Sequence, residues 1–374
     1  MSTITLKSKR VEVEENDVER LFYERGWTDG LPIVPPTPER VRRALAGTDL
    51  APGHVIGGVG PKFGEATVEK IAVNAVMAGC DPLHLPVVIA AVQALLDKRF
   101  NLFGCQATTH VVAPLLIVNG PIAEELDIAC GYNCFGQGWR ANAVIGRAVR
   151  FVLTNIGGGL PGQLDRATFG TPAKYSYCVA ENEAENPWEP LHVERGFDRA
   201  TSTVTVVGAE APHNINDHGS ESAAGLLKTI AESMCQPGSN NAYLYDEGPW
   251  VVLGPEHAKQ LARAGWTKKA IKEYLFEHSQ IPIERWSRDN IERYLIIRWP
   301  AWLGDKVRAW LQDPAQTLKV PLCTRAEDIG LIVAGGAGKH SLFIPTFGAS
   351  ASVTLPLTLK DGRPAASIAD YASR

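Results

Sequence analysis

The sequence lacks a basic surplus. Its 37 lysines and arginines are outnumbered by 41 aspartates and glutamates, a formal net charge of -4. Counterion release from a phosphate backbone therefore has no source, and nucleic acid is excluded as a first expectation for a partner. A long apolar run is also missing. The longest, LPVVIAAVQALL at 85–96, is broken by Pro86 and Gln93 and falls short of the roughly 20 residues that a membrane-spanning helix needs. The N-terminal MSTITLKSKRVEVEENDVER has no apolar h-region, so the reading is a cytoplasmic protein without a secretory signal or membrane partner. Nucleotide motifs fail on spacing. GGVGPKFG at 57–64 is not a G-x-G-x-x-G after a clear strand. AGGAGKHS at 334–341 lacks the Walker spacing, and strand character follows it rather than a helix. No nucleotide cofactor is expected.

What is present is an ordinary globular composition. The 374 residues, 45% apolar and 21% charged, exclude wholesale disorder and give a prior of about two domains. Glycine (35) and proline (25) are plentiful, which points to shaped loops of the kind that carry enzyme sites. The seven cysteines are odd in number on a long chain, against a secreted disulfide framework. Reduced thiols are then core filler, ligands or nucleophiles.

Periodicity predicts helices at 14–26, from about Pro38 (with Thr37 as N-cap), at 66–78, 84–97, 138–154 and 256–264. Strands are predicted at 114–119, 174–180, 202–207 and 251–253. From Asp328 the chain reads strand, glycine loop, strand, turn, strand. The expected class is α/β, with mixed or parallel sheets flanked by helices. PLLIVN-Gly-Pro and VVL-Gly-Pro echo each other. Two related α/β halves and two unrelated segments are equally compatible with that echo. The division is placed at 1–205, an N-terminal half with glycine-rich loops, and 206–374, a C-terminal half. The tryptophan-rich, amphipathic block at 267–312 packs on a sheet or forms a dimer face. Near-neutral charge and that block favour a homo-oligomer.

Four segments hold the chemistry. In 104–142, GCQATTH precedes a strand and ACGYNCFGQGWRAN precedes a helix. Cys105, His110, Cys130 and Cys134 are candidate catalytic groups, and the three thiols are candidate metal ligands. A helix N-terminus lowers the pKa of a nearby thiol. Arg140 in the first turn suits a substrate carboxylate, with Asn142 as a donor. C-x3-C is not a standard zinc spacing, and filling of small core gaps is the plainer reading. In APHNINDHGSES, His213, Asp217 and His218 offer imidazole and carboxylate to zinc, iron or nickel. They are no H-E-x-x-H, and Asp217, Ser220 and Ser222 equally suit a helix start. In 178–195, Glu181, Glu183 and Glu185 would share a face if the strand continued. Glu181 is the candidate acid–base group there, and His192 the candidate substrate contact. In 334–341, Lys339 and His340 are candidates for a small anion.

Three strings carry a resemblance: ERGWTDGLPIVPPTPERV, GQGWRANAVIGRAVR and AENEAENPWEPLHVERGF. Over about residues 17–355 the chain resembles the bacterial UGSC (seleno)protein group. That resemblance implies redox or nucleophilic selenium chemistry akin to glycine-reductase-type selenoproteins. It also implies a site built by the loops around 104–110, 130–142, 178–195 and 335–341. The selenocysteine-Gly-Ser-Cys motif that names the group has no Cys-Gly-Ser-Cys counterpart here.

The leading expectation is an enzyme acting on a small polar, carboxylate-bearing molecule. Cys105, Cys130, Cys134, His213 and His218 would supply ligands to a transition metal (Zn, Fe, Ni or Cu) used for hydrolysis, hydration or lyase chemistry. A metal-free thiol oxidoreductase or nucleophilic-cysteine enzyme is the second expectation. A non-enzymatic binding or assembly subunit is the third.

Overall fold

The computed structural model describes residues 4–372. In chain order, α1 (Pro38–Leu45), α2 (Val68–Ala78) and α3 (Leu85–Leu95) precede β1 (Ala113–Asn119). Helix α4 (Arg140–Phe151) leads to β2 (Cys178–Ala180) and β3 (Thr203–Ala209). Then follow β4 (His213–Asn216), α5 (Ala223–Met234), β5 (Trp250–Leu253), α6 (Pro255–Arg263), α7 (Lys268–His278) and α8 (Ala301–Gln312). The last strands are β6 (Gly330–Val333), β7 (His340–Ile344) and β8 (Val353–Pro356). Parallel strand pairs in mixed sheets with flanking helices make the fold α/β, the class read from the sequence.

The chain forms two compact units. The first gathers the residues up to Glu181, Leu191–Val207 and the stretch from Ser352; the second gathers Asn182–Pro190 and Gly208–Ala351. The division is therefore not a single cut at 205. One cut falls within β3, between Val207 and Gly208, and the chain returns to the first unit because β8 pairs antiparallel with β3.

In the first unit the sheet order is β8-β3-β1-β2, with β1 and β2 parallel. Every residue of β1 is buried, as its unbroken apolar run requires of a strand covered on both faces. The helix starts follow the hydroxyl signals. Thr37 Oγ1 accepts from Arg40 N at 3.4 Å and Thr67 Oγ1 from Lys70 N at 3.3 Å, so each satisfies a first-turn donor. The strand predicted over 174–180 is shorter than expected. Pro172–Lys174 is a helical turn, and pairing begins only at Cys178, because proline fixes a helix-compatible φ and offers no ladder donor.

In the second unit the order is β6-β5-β7-β4, with β6 and β5 parallel and β7 antiparallel to both β5 and β4. Trp250 and Gly330 are register partners in the parallel pair. A Cβ on Gly330 would run into the Trp250 indole, so glycine is what lets the fully buried ring lie across its neighbour. The tryptophan-rich block joins this unit's core. Trp286 and Trp299 pack edge to face with centroids 5.8 Å apart, and their indole N–H groups donate to Pro237 O and Ala242 O, each at 2.8 Å. Buried tryptophans need such a partner.

Candidate functional site

In the second unit, β5 and β6 run parallel and end side by side. Their carboxyl ends lead into Gly254-Pro255 at the start of α6 and into the glycine loop 335–338. Open α/β sheets hold ligands at such strand ends. Two imidazoles meet nearby. His218 follows β4, His340 opens β7, and their Nε2 atoms are 3.3 Å apart, with the rings at 78°. Both residues are exposed. Lys339 Nζ donates to His218 O at 3.3 Å, and Glu256 Oε1 accepts from Gly338 N at 2.9 Å, which ties the glycine loop to the first turn of α6.

A third, fully buried imidazole sets this spacing. His257 Nδ1 accepts from Ser341 Oγ at 2.8 Å, and Nε2 donates to Asp217 O at 3.1 Å. The two partners are the chain neighbours of His340 and His218. Burial holds the His257 pKa below the ordinary histidine value. His340 and Lys339 push the same way, against the Asp217 carboxylate. The ring is thus neutral near pH 7, and its one N–H lies on Nε2. Gly254 N reaches Ser341 Oγ at 3.4 Å, which extends the chain of bonds to the end of β5. The Asp217 carboxylate accepts from Ser220 N and Ser220 Oγ, both at 2.8 Å. The true N-cap of α5 is Ser222, whose Oγ accepts from Gly225 N at 3.0 Å. Asp217 therefore fixes the turn that carries His218.

The other candidates have different surroundings. His213 opens β4 opposite Phe343, at the strand end away from His218; the partner of His218 is His340. Among the described residues, no group of three or more His, Cys, Asp or Glu side chains is placed to hold a metal ion. Cys105, Cys130, Cys134, His213 and His218 therefore do not come together as one ligand set. Cys105 is buried on the short helix Leu102–Gln106, its thiol 3.8 Å from Phe100 O. His110 lies half-buried in the loop before β1. Cys134 is buried and Cys130 half-buried in a loop held by Asn142. Asn142 Oδ1 accepts from Ala129 N at 2.8 Å, and its amide donates to Ala129 O at 2.9 Å and Cys134 O at 3.2 Å. Asn142 is thus committed to backbone rather than presented to a substrate. Arg140 pairs with Asp81 at 3.2 Å and reaches Gly79 O.

The third segment is divided. Strand β2 stops at Ala180, so Glu181, Glu183 and Glu185 do not share a strand face. Glu181 is buried in the first unit, where its Oε2 accepts from Asn119 Nδ2 and Leu191 N, each at 2.7 Å. Asn119 and Glu181 follow register partners Val118 and Ala180, so they sit at the carboxyl ends of the parallel pair β1/β2. Glu185, in the second unit, is ion-paired with Lys259. His192 has no exposed surface, and its Nε2 donates to Arg199 O at 3.2 Å, so it closes its own turn.

Three buried thiols and the half-buried Cys80 are poor nucleophiles. Burial pushes Cys178 up to about 12 and Cys235 to about 11. Burial and then the Asp328 charge push Cys323 up to about 12. Burial and the Asp81 charge raise Cys80 as well. A thiolate is what reacts. A cavity of about 200 Å³ in the first unit is lined by His54, Gln93, Thr358, Lys360 and Tyr371 among others; none of the predicted site residues lines it. His257, Ser341 and Glu256 escaped sequence reasoning. The only signal was their position just past or opposite an apolar strand ending in Gly-Pro. Among the described residues no helix is long and apolar enough to cross a membrane.

No protein-family model matches the chain, and no curated protein matches it.

Proposed function

We propose that the protein is an enzyme for a small polar molecule, with its reaction centre at His218 and His340 and a divalent transition metal as cofactor. The observation that carries this reading is the 3.3 Å separation of the two Nε2 atoms. Two imidazoles on one tetrahedral ion at metal–nitrogen distances of about 2.0–2.1 Å stand roughly 3.3–3.4 Å apart. The buried, neutral His257 supports the reading, because ligand imidazoles are commonly set by an outer layer of hydrogen bonds. Two protein ligands leave positions open for water and substrate, and a metal there supplies Lewis-acid activation for hydrolysis, hydration or lyase chemistry. Lys339 contributes a positive charge beside the pair, suited to a carboxylate on the substrate. The absence of a third protein ligand among the described residues favours one alternative. In it the pair works without metal as acid and base.

Elemental analysis of tag-free protein purified without chelator tests the reading. The expected result is about one zinc, iron, nickel or copper per chain, lost in His218→Ala and in His340→Ala but kept in His213→Ala. Metal retained by His340→Ala would overturn the assignment. Metal-free protein that still turns over, with both alanine variants inactive, would establish the acid–base alternative instead.

A further inference from the structure

The first unit contains a charge imbalance that the reading above does not use. Arg150, in the last turn of α4, is 9% exposed. Lys174 and Asp165 side chains are 16% and 11% exposed and are joined at 2.7 Å. Asp165 is fully engaged: its oxygens accept from Lys174 Nζ at 2.9 and 2.7 Å and from Ala167 N at 3.0 Å. Arg150 has only neutral partners, donating from Nε to Lys174 O at 2.8 Å and from Nη1 to Gln106 Oε1 at 3.1 Å. Two cations thus face one carboxylate. Among the described residues no second acid acts on Arg150 or Lys174. Burial lowers the pKa of both, with Asp165 opposing, as expected where charge leaves water without full compensation. A buried, unbalanced charge is costly unless something neutralises it.

The surroundings suit a small anion. Gln106 ends the short helix Leu102–Gln106 within the string GCQATTH, and the glycine run 157–159 comes up against it. A Cβ on Gly159 would stand 3.1 Å from Gln106 Oε1, and one on Gly158, at φ +73°, would strike the stem of Lys62. Arg150 keeps its Nη2 end uncommitted, and a planar guanidinium end matches a carboxylate with two parallel bonds. The surplus of one charge at the buried core of the cluster matches a monoanion.

We propose that Gln106, Arg150 and Lys174 form a binding site for a small organic carboxylate, held by the free end of the Arg150 guanidinium with Lys174 beside it. The site does not depend on His218 or His340.

The test is thermal unfolding of the full chain in sodium acetate, with sodium chloride at equal ionic strength and acetamide as controls, and sodium phosphate as a separate arm. The expected result is a rise in Tm of about 2–4 °C in acetate beyond both controls, by mass action on the folded state. Gln106→Glu supplies an internal carboxylate to Arg150. It should raise Tm in chloride and abolish the acetate response. Should that variant not fold, Arg150→Lys keeps the charge and loses the planar end, and the acetate needed for half the effect should rise at least tenfold. Acetate no better than chloride, or an acetate response unchanged in Gln106→Glu or in Arg150→Lys, would overturn the proposal. A larger effect of phosphate than of acetate would overturn the carboxylate assignment.

Discussion

His257 accepts the Ser341 hydroxyl at 2.8 Å while its other ring nitrogen holds Asp217 O at 3.1 Å. One buried ring thus bridges the two segments that carry His218 and His340. Replacing it with phenylalanine keeps the bulk and leaves a hydroxyl and a carbonyl without their partner. The expected cost is about 1–3 kcal/mol of stability. Zinc affinity at the exposed pair should fall about 10- to 100-fold, because the imidazole spacing is no longer fixed. Denaturant unfolding gives the first quantity and zinc titration the second. A variant that is destabilised but binds zinc like the parent would separate His257 from the site.

Asn142 does comparable work in the first unit. Its side chain makes three bonds to the backbone of Ala129 and Cys134, and these close the loop that carries Cys130 and Cys134. Asn142→Ala should cost about 2–3 kcal/mol, since buried backbone groups lose their partners. Amide exchange should accelerate at 129–134 while β1 stays protected. Unchanged exchange in the loop would show that other contacts hold it.

Of these two residues Asn142 stood out in the sequence and His257 did not. The helix start at Thr37, the helix at 66–78, the buried strand at 114–119 and the strand–glycine loop–strand tail follow from local rules, because a cap or an apolar run acts within a few residues. The site followed other rules. His218 stood out, but its partner lies 122 positions away, and the antiparallel register of β4 and β7 that unites them leaves no mark in either segment alone. Arg140 drew attention by its place at a helix start, whereas Arg150, one face of the same helix further on, is the one taken into the interior. Nothing in an amphipathic pattern tells a buried arginine from a solvated one, since the decision rests with Gln106, Asp165 and Lys174 from other segments.

The thiols give stability a definite pH dependence. Cys178 and Cys323 are each pushed up to about 12 from the ordinary thiol value of 9.0, by burial and, for Cys323, by Asp328 as well. Below that value both folded and unfolded chains hold these protons, and the thiols contribute no slope. Between about 9 and about 12 the folded state keeps protons that the unfolded chain releases, so stability falls as pH rises. Urea midpoints should therefore decline above pH 9. Cys178→Ala and Cys323→Ala should each flatten the alkaline decline, whatever they do to the midpoint at pH 7. An alkaline slope unchanged in both variants would mean that other groups, such as buried tyrosines, govern the loss.

Gly330 tests the packing that brings β5 and β6 together. It is the register partner of Trp250, and the indole occupies the space where a Cβ would stand. Because Trp250 is wholly buried, it has nowhere to turn without displacing its neighbours, and overpacking of this kind costs about 1–3 kcal/mol or more. Gly330→Ala should lower stability by that amount, and Trp250→Leu should relieve much of the added cost when the two changes are combined, through coupling of contacting residues. The parallel pair ends beside the glycine loop and Lys339, so the single variant should also weaken zinc binding at His218 and His340, with recovery in the double variant. Additive losses in the double variant would show that the ring and the glycine do not constrain each other.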